Sequence, residues 1–349
     1  MKYETTSKAE LRFVGTSHGT TLVGNLCSQC IYNNAEFSVF GEHPQICCFD
    51  ITETCSSKTP YFFFKSRSNS SVVVFSKGRI PFELPKANAE SIKQLKTEIV
   101  LALEQLKPFG DSVLCARYGT TDPTKGFFDI ENVLLYNIGT RNFNTLSKHG
   151  IVFASIPCSE IKKLRDQWDI PDEYVHYYEY TLLPGPIPLP QAKVLLAEWE
   201  KLPFCKCTGL TPFAAWNAIK NEAANITVYD RINCDKGDCF SLVLEIEKPR
   251  QAKFRIMTAM KPLLDGLICA FQNSDFESDE IEYFSHKLQC GKDKFQSQSL
   301  NVLGNRQSKY IQIYRNNVKW NPADDLCHYV CISIKEGNNW RLSGKIYKI

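Results

Sequence analysis

The segment Phe127-Phe128-Asp129-Ile130-Glu131-Asn132-Val133-Leu134-Leu135 sets two carboxylates and an amide at the mouth of an apolar run. Asp129 and Glu131 stand at i and i+2, so at an extended strand end they face the same way. Two oxygen ligands so placed suit a hard divalent cation such as Mg²⁺, which takes few protein ligands and keeps several waters. The same residues also read as a helix start. Asp and Asn are favoured caps, acids suit the positive end of a helix dipole, and Val133–Ile138 is then core.

The elements that must position this segment can be traced along the chain. Short strands are expected at Leu11–Val14, Phe37–Phe40, Ile46–Thr52 and Tyr61–Lys65, and Val72–Phe75 runs into a Lys77-Gly78-Arg79 turn. Asn88 caps a helix whose Ile92, Leu95, Ile99, Leu103 and Leu106 recur at helical spacing, ended by Pro108 and Gly110. Ser112–Tyr118 is the strand before the acidic segment, and a helix at Ser159–Trp168 precedes an aromatic strand near Tyr174–Leu183. Pro184-Gly-Pro-Ile-Pro-Leu-Pro190 cannot be helix or central strand and reads as a stiff connector. Beyond it, helices are expected at Gln191–Lys201, at Thr211–Ala224 with Pro212 in first position, and at Met260–Phe271. Strands are expected at Cys239–Glu247, Tyr310–Tyr314 and His328–Ile334.

The pattern predicts an α+β protein of two mixed lobes, 1–183 and 191–349, joined by the connector at 184–190. Each lobe would be a small sheet packed with helices, and the shared order of helix, strand, loop and apolar segment raises the idea of a pseudo-duplication.

Bulk properties narrow the class. Apolar residues at 43% and charged residues at 23% describe a globular chain rather than a disordered one. A net charge of +3 gives no global pull toward nucleic acid or membrane, so any basic surface must be local. No run approaches a membrane span, and the N-terminal residues lack the apolar core of a signal peptide, so a cytoplasmic protein without membrane partners is expected. The 15 cysteines are an odd count without such a signal, which favours reduced thiols. Cys27, Cys30, Cys47, Cys48 and Cys55 form the tightest cluster, but adjacent Cys47-Cys48 suits tetrahedral chelation poorly and zinc is not expected. Gly15-Thr-Ser17-His18-Gly19 fits a nucleophile-elbow pattern, yet Thr20-Thr21-Leu22-Val23-Gly24 favours strand rather than the helix an elbow needs, so it reads as a hairpin turn.

The order strand, Lys-Gly-Arg turn, helix, strand, polar loop and Asp129-x-Glu131-Asn132-Val-Leu-Leu is similar to that of the RusA-like Holliday-junction resolvases. Their motif is Asp-x-Asp-Asn with a Lys three residues beyond the Asn and a further Asp downstream. Asp129, Glu131 and Asn132 match its first part, while Leu135 stands where the Lys would be. Lys261-Pro-Leu-Leu-Asp265-Gly-Leu267 looks like the family's Lys-x-Leu-Leu-Asp-x-Leu helix, and Asp275-Phe-Glu-Ser-Asp279-Glu280 falls near its downstream acid. Arg255, Met257 and Thr258 replace the Asp-x-Asp-Asn in this second stretch. The resemblance implies a Mg²⁺-dependent nuclease, or a degenerate derivative, with a composite site. Asp129 and Glu131 would bind the metal with Asp275 or Asp279, and Asn132 and Lys261 would complete the catalytic set.

A basic and aromatic stretch, Arg306, Lys309, Tyr310, Tyr314, Arg315, Lys319 and Trp320, can track a phosphate backbone and stack bases, or can be one polar face of a strand pair. Lys77, Arg79, Lys86 and Lys125 would add to such a surface. The expectation is therefore a nucleic-acid-binding protein, with a non-catalytic interaction or scaffold protein as the alternative.

Overall fold

Ten strands drawn from both halves of the chain hydrogen-bond into one mixed sheet. A computed structural model describes residues 60–349 except 84, 86, 123–128, 186–193, 305 and 307, and the backbone of three short strands nearer the N-terminus. Those three, β1 (Lys2–Thr5), β2 (Leu11–Val14) and β3 (Thr21–Gly24), form a small antiparallel sheet. The strands expected at 37–40 and 46–52, the cysteines at 27–55, the Gly15–Gly19 turn, Lys86 and Lys125 all lie outside the described residues.

In the first half, β4 (Phe62–Arg67) and β5 (Ser71–Ser76) form a hairpin, followed by α1 (Ala89–Gln105) and β6 (Val113–Thr120). After a crossover come β7 (Gly150–Ser155), α2 (Cys158–Trp168) and β8 (His176–Leu183). The second half supplies β9 (Val194–Pro203), α3 (Pro212–Asn221), the short β10 (Thr227–Val228) and β11 (Phe240–Pro249). Helices α4 (Ile256–Phe271), α5 (Ser278–Leu288) and α6 (Asp293–Gln296) lead to the ribbon β12 (Ile311–Tyr314) and β13 (Asn317–Trp320). Strands β14 (Cys327–Gly337) and β15 (Arg341–Lys348) close the chain.

The large sheet runs β10-β9-β15-β11-β14-β7-β6-β8-β5-β4. Its central pair is β7 against β14, antiparallel, with Phe153 opposite Val330 and Ile151 opposite Ile332. That pairing overturns the expected two-lobe fold. The halves do not build two separate small sheets; they share one, because Ile151, Phe153, Val330 and Ile332 are all buried apolar residues that an open edge would expose. On each side of this seam the same order recurs, β5-β8-β6-β7 and β9-β15-β11-β14, with β6 parallel to β7 and β11 parallel to β14. Each parallel pair requires a crossover, and the two crossovers carry the residues of interest.

Local rules account for most elements. Thr211 caps α3 by accepting the Ala214 N–H, with Pro212 in the first turn. Helix α1 buries Ile92, Leu95, Ile99 and Leu103 against Val72, Val74, Leu114 and Ala116. On the opposite face, Ile161 of α2 meets Val73, Phe75 and Tyr177. Each such fully buried large side chain is worth about 1.5–3 kcal/mol.

Residues 194–203 are a strand, not the helix expected at Gln191–Lys201. The pairing with β15 shifts register between Leu342 and Gly344 and again between Ile346 and Tyr347, and Lys201 adopts φ 49. Each bulge adds a residue that breaks the two-residue alternation, so the buried positions recur every third residue and imitate a helix. Helix α4 also begins earlier than expected, at Ile256, leaving Pro262 inside it rather than at its start.

Candidate metal centre

The crossover from β6 to β7 contains a distorted turn. Asn137 N–H reaches back to the Asn132 carbonyl at 2.8 Å, five residues away, so Asn132–Tyr136 winds as a π-helical turn. Such wide turns are rare and often sit at functional sites. Val133, Leu134 and Leu135 are buried and anchor the turn; Asn137 fixes it further by donating its side-chain amide to the Ile80 carbonyl at 2.9 Å. Asp129 lies three residues before this turn and Glu131 at its N-terminal cap position. Both readings of the sequence are thus partly met: the carboxylates share a side, but at a helical start rather than a strand end.

Asn132 donates its side-chain amide to Asp129 Oδ2 at 2.6 Å, which orients that carboxylate. Glu131 is 3% exposed and receives Lys261 Nζ on Oε1 at 3.0 Å. Lys261 comes from α4, in the other crossover. Pro262 removes one helical N–H there, and the Lys261 N–H donates to the Tyr136 hydroxyl at 3.2 Å, tying α4 to the π turn. The Lys261 ammonium also lies 3.5 Å from Asp265 Oδ1 and 3.5 Å from Asp324 Oδ2. Asp324 belongs to the short turn Asp324–Leu326 between the ribbon and β14.

Asp129, Glu131 and Asp324 each place a carboxylate oxygen within 4.8 Å of the others, a set able to hold a metal ion. Asp129 and Asp324 line an open cleft of about 420 Å³ together with Lys261, Asp265, Arg306 and Trp320 among others. Arg306 clamps Asp325 with two 2.7 Å hydrogen bonds at its rim. Negative groups therefore outnumber positive ones. Burial, then the charges of Glu131 and Asp129, push the Asp324 carboxyl up to about 8 against the pull of Lys261. Burial likewise raises Glu131 and Asp265, with Lys261 opposing in both. For Lys261 itself burial disfavours the charge, but the carboxylates outweigh it and the pKa rises.

The structure thus brings together Asp129, Glu131, Asn132 and Lys261, and adds Asp324 and Asp265. Asp275 and Asp279 are not members of the carboxylate cluster. Both are exposed, Asp279 in the first turn of α5, where Glu277 and Glu280 form a capping box. The acids of this stretch are there because they favour a helix N-terminus. Asp324 carries no signal in the sequence, because Pro322-Ala-Asp-Asp325 is an ordinary turn; only its position marks it, immediately before a strand that ends at the seam.

The predicted basic residues fall in three places. Lys77 is held by Glu173 at 3.0 Å and lies over the Tyr174 ring, and Arg79 follows it in the turn after β5. Arg306 is committed to Asp325 and Lys309 to Glu280 at 2.6 Å. Arg315 and Lys319 are exposed on the β12–β13 ribbon. Among the described residues, no helix is long and apolar enough to cross a membrane. Scans against known protein families and against curated proteins found no match for this chain.

Proposed function

We propose that the protein is a divalent-metal-dependent nuclease, of the kind its resemblance to the RusA-like resolvases implies. The observation that carries this reading is the convergence of Asp129 and Glu131 from one crossover with Asp324 from the other, beside an open polar cleft. The donor set fits Mg²⁺: it is all oxygen, small in number, and open on one side to water. When bound, the metal would supply an activated water and offset charge on the phosphoryl oxygens.

The chain's own residues have distinct tasks in this scheme. Asp129 is held in orientation by Asn132. Glu131 is fixed by Lys261. Asp324, whose carboxyl burial pushes upward, would give up its proton when a cation enters. Lys261, whose side chain is about one-third exposed, lines the cleft and would meet a phosphate oxygen there. The test is cleavage of duplex and branched DNA with Mg²⁺ or Mn²⁺ and with a chelator. Metal-dependent cutting that survives Asp129→Ala would overturn the reading.

One observation favours the alternative of a non-catalytic interaction protein. Lys261 already stands 3.0–3.5 Å from Glu131, Asp265 and Asp324, as a permanent counterion would. In that case Mg²⁺ at millimolar concentration would leave the melting temperature unchanged.

A further inference from the structure

The ribbon β12–β13 continues directly into the cleft: Trp320 and Asn321, at its base, line it alongside Asp324. Its register pairs Ile311 with Trp320, Gln312 with Lys319, Ile313 with Val318 and Tyr314 with Asn317. Directly opposed residues share a face. One face is therefore Ile311, Ile313, Val318 and Trp320, of which Ile311 is buried and Val318 and Trp320 pack on the core. The other is Gln312, Tyr314, Asn317 and Lys319, with Arg315 in the turn, and it contains no acid.

Three features set this face apart. Tyr314 is 52% exposed, and Arg315 and Lys319 lie over its ring at 5.1 and 5.8 Å. Among the described residues no carboxylate pairs with either cation, whereas Arg306 and Lys309 close by are each neutralised. The two turn residues, Arg315 and Asn316, have φ 48 and 60. A two-residue hairpin turn of this kind normally takes Asn and Gly, and an arginine there stands at the tip at some conformational cost.

We infer that this ribbon is a phosphate-gripping arm, in which Tyr314 holds Arg315 and Lys319 ready for the backbone of the nucleic acid whose scissile bond lies in the cleft. The inference rests on the nuclease reading for its partner. Charge complementarity supports it: an acidic cleft repels a polyanion unless a cation fills it, and an adjacent unpaired basic arm offsets that repulsion. Reach supports it as well. Four residues at about 3.4 Å each carry Arg315 roughly 14 Å from Trp320, about four base-pair steps of duplex.

The test is DNA binding by the full chain in EDTA, so that nothing is cut, measured by fluorescence anisotropy from about 50 to 300 mM salt. In R315A/K319A the slope of log K against log salt should shrink by about two, one per lost phosphate contact. Affinity near 150 mM salt should fall about tenfold or more. Tyr314→Phe should keep the wild-type slope and Tyr314→Ala should lose part of it. Salt-dependent binding by the wild type with an unchanged slope in R315A/K319A overturns the arm while leaving the nuclease reading intact. No salt-dependent binding by the wild type, either in EDTA or with Ca²⁺ supplied to the cleft in place of Mg²⁺, overturns both. Binding to phosphatidylserine vesicles but not DNA, which the exposed Ile313 and Tyr314 would then explain, also overturns it.

Discussion

Glu131 and Lys261 are 130 residues apart in the chain and meet at 3.0 Å, one from each crossover of the shared sheet. Glu131 is almost wholly buried, whereas Lys261 is about one-third exposed. The pair is thus asymmetric: removing the lysine strands a carboxylate away from water, while removing the acid leaves an ammonium that still has Asp265, Asp324 and solvent.

Lys261→Met should accordingly destabilise the fold by about 2–4 kcal/mol, somewhat less than a fully buried pair because part of the site is wet. Glu131→Gln should cost less. Adding Glu131→Gln to Lys261→Met should recover much of the loss, since no buried charge is then left alone. Urea denaturation of the four proteins in EDTA measures the coupling.

The Asp324 carboxyl makes stability depend on pH in a defined direction. Its folded pKa of about 8 lies above the ordinary 3.8, so ionising it works against the fold. The penalty is absent below about pH 4, grows as the pH rises, and is complete above about pH 8. Asp324→Asn should therefore match the wild type near pH 4 and exceed it at pH 9 by at least about 1.4 kcal/mol, the worth of a single pKa unit. Thermal melts across that range in EDTA provide the comparison; a variant no more stable at pH 9 would contradict it.

A bound cation reverses that penalty. With Mg²⁺ or Mn²⁺ at about a hundred times its dissociation constant, the wild type should gain about 2.7 kcal/mol. Asp129→Asn and Asp324→Asn should gain little, while Asp279→Asn, outside the carboxylate cluster, should gain as the wild type does. Differential scanning fluorimetry with and without metal distinguishes these outcomes.

Helix α4 is held to α3 by a close approach at Gly266, where a Cβ would lie 2.2 Å from the Pro212 carbonyl oxygen and 2.7 Å from the Ala215 Cβ. Gly266→Ala should cost about 1–3 kcal/mol through overpacking. Because the same helix carries Lys261 and Asp265, metal affinity should fall along with stability, which titration calorimetry on the folded variant would show.

Much of the fold could be read from the chain where local signals act alone. Thr211-Pro212 marks a helix start, Ile92 to Leu103 a buried helical stripe, and Val72–Phe75 a strand, and each stands as expected. Bulged strand β9 could not be read, since two inserted residues erase its alternation. Nor could the joining of the halves: apolar residues in β7 and β14 are equally consistent with two buried sheets or one, and only their mutual pairing decides. Site residues divide in the same way. Asp129, Glu131, Asn132 and Lys261 are visible through their spacing and resemblance, while Asp324 becomes a neighbour only because β14 runs beside β7.

The pairing of Gly150–Ser155 with Cys327–Gly337 has a consequence for how the molecule can be taken apart. A fragment ending before 186 would carry Asp129 and Glu131 but present a raw, apolar strand margin; a fragment beginning after 193 would carry Lys261 and Asp324 with a matching one. Each margin is a template for joining a second copy of the same piece, and such a copy cannot supply the missing acids. The full set of Asp129, Glu131 and Asp324 would return only when unlike fragments are mixed and allowed to zip together.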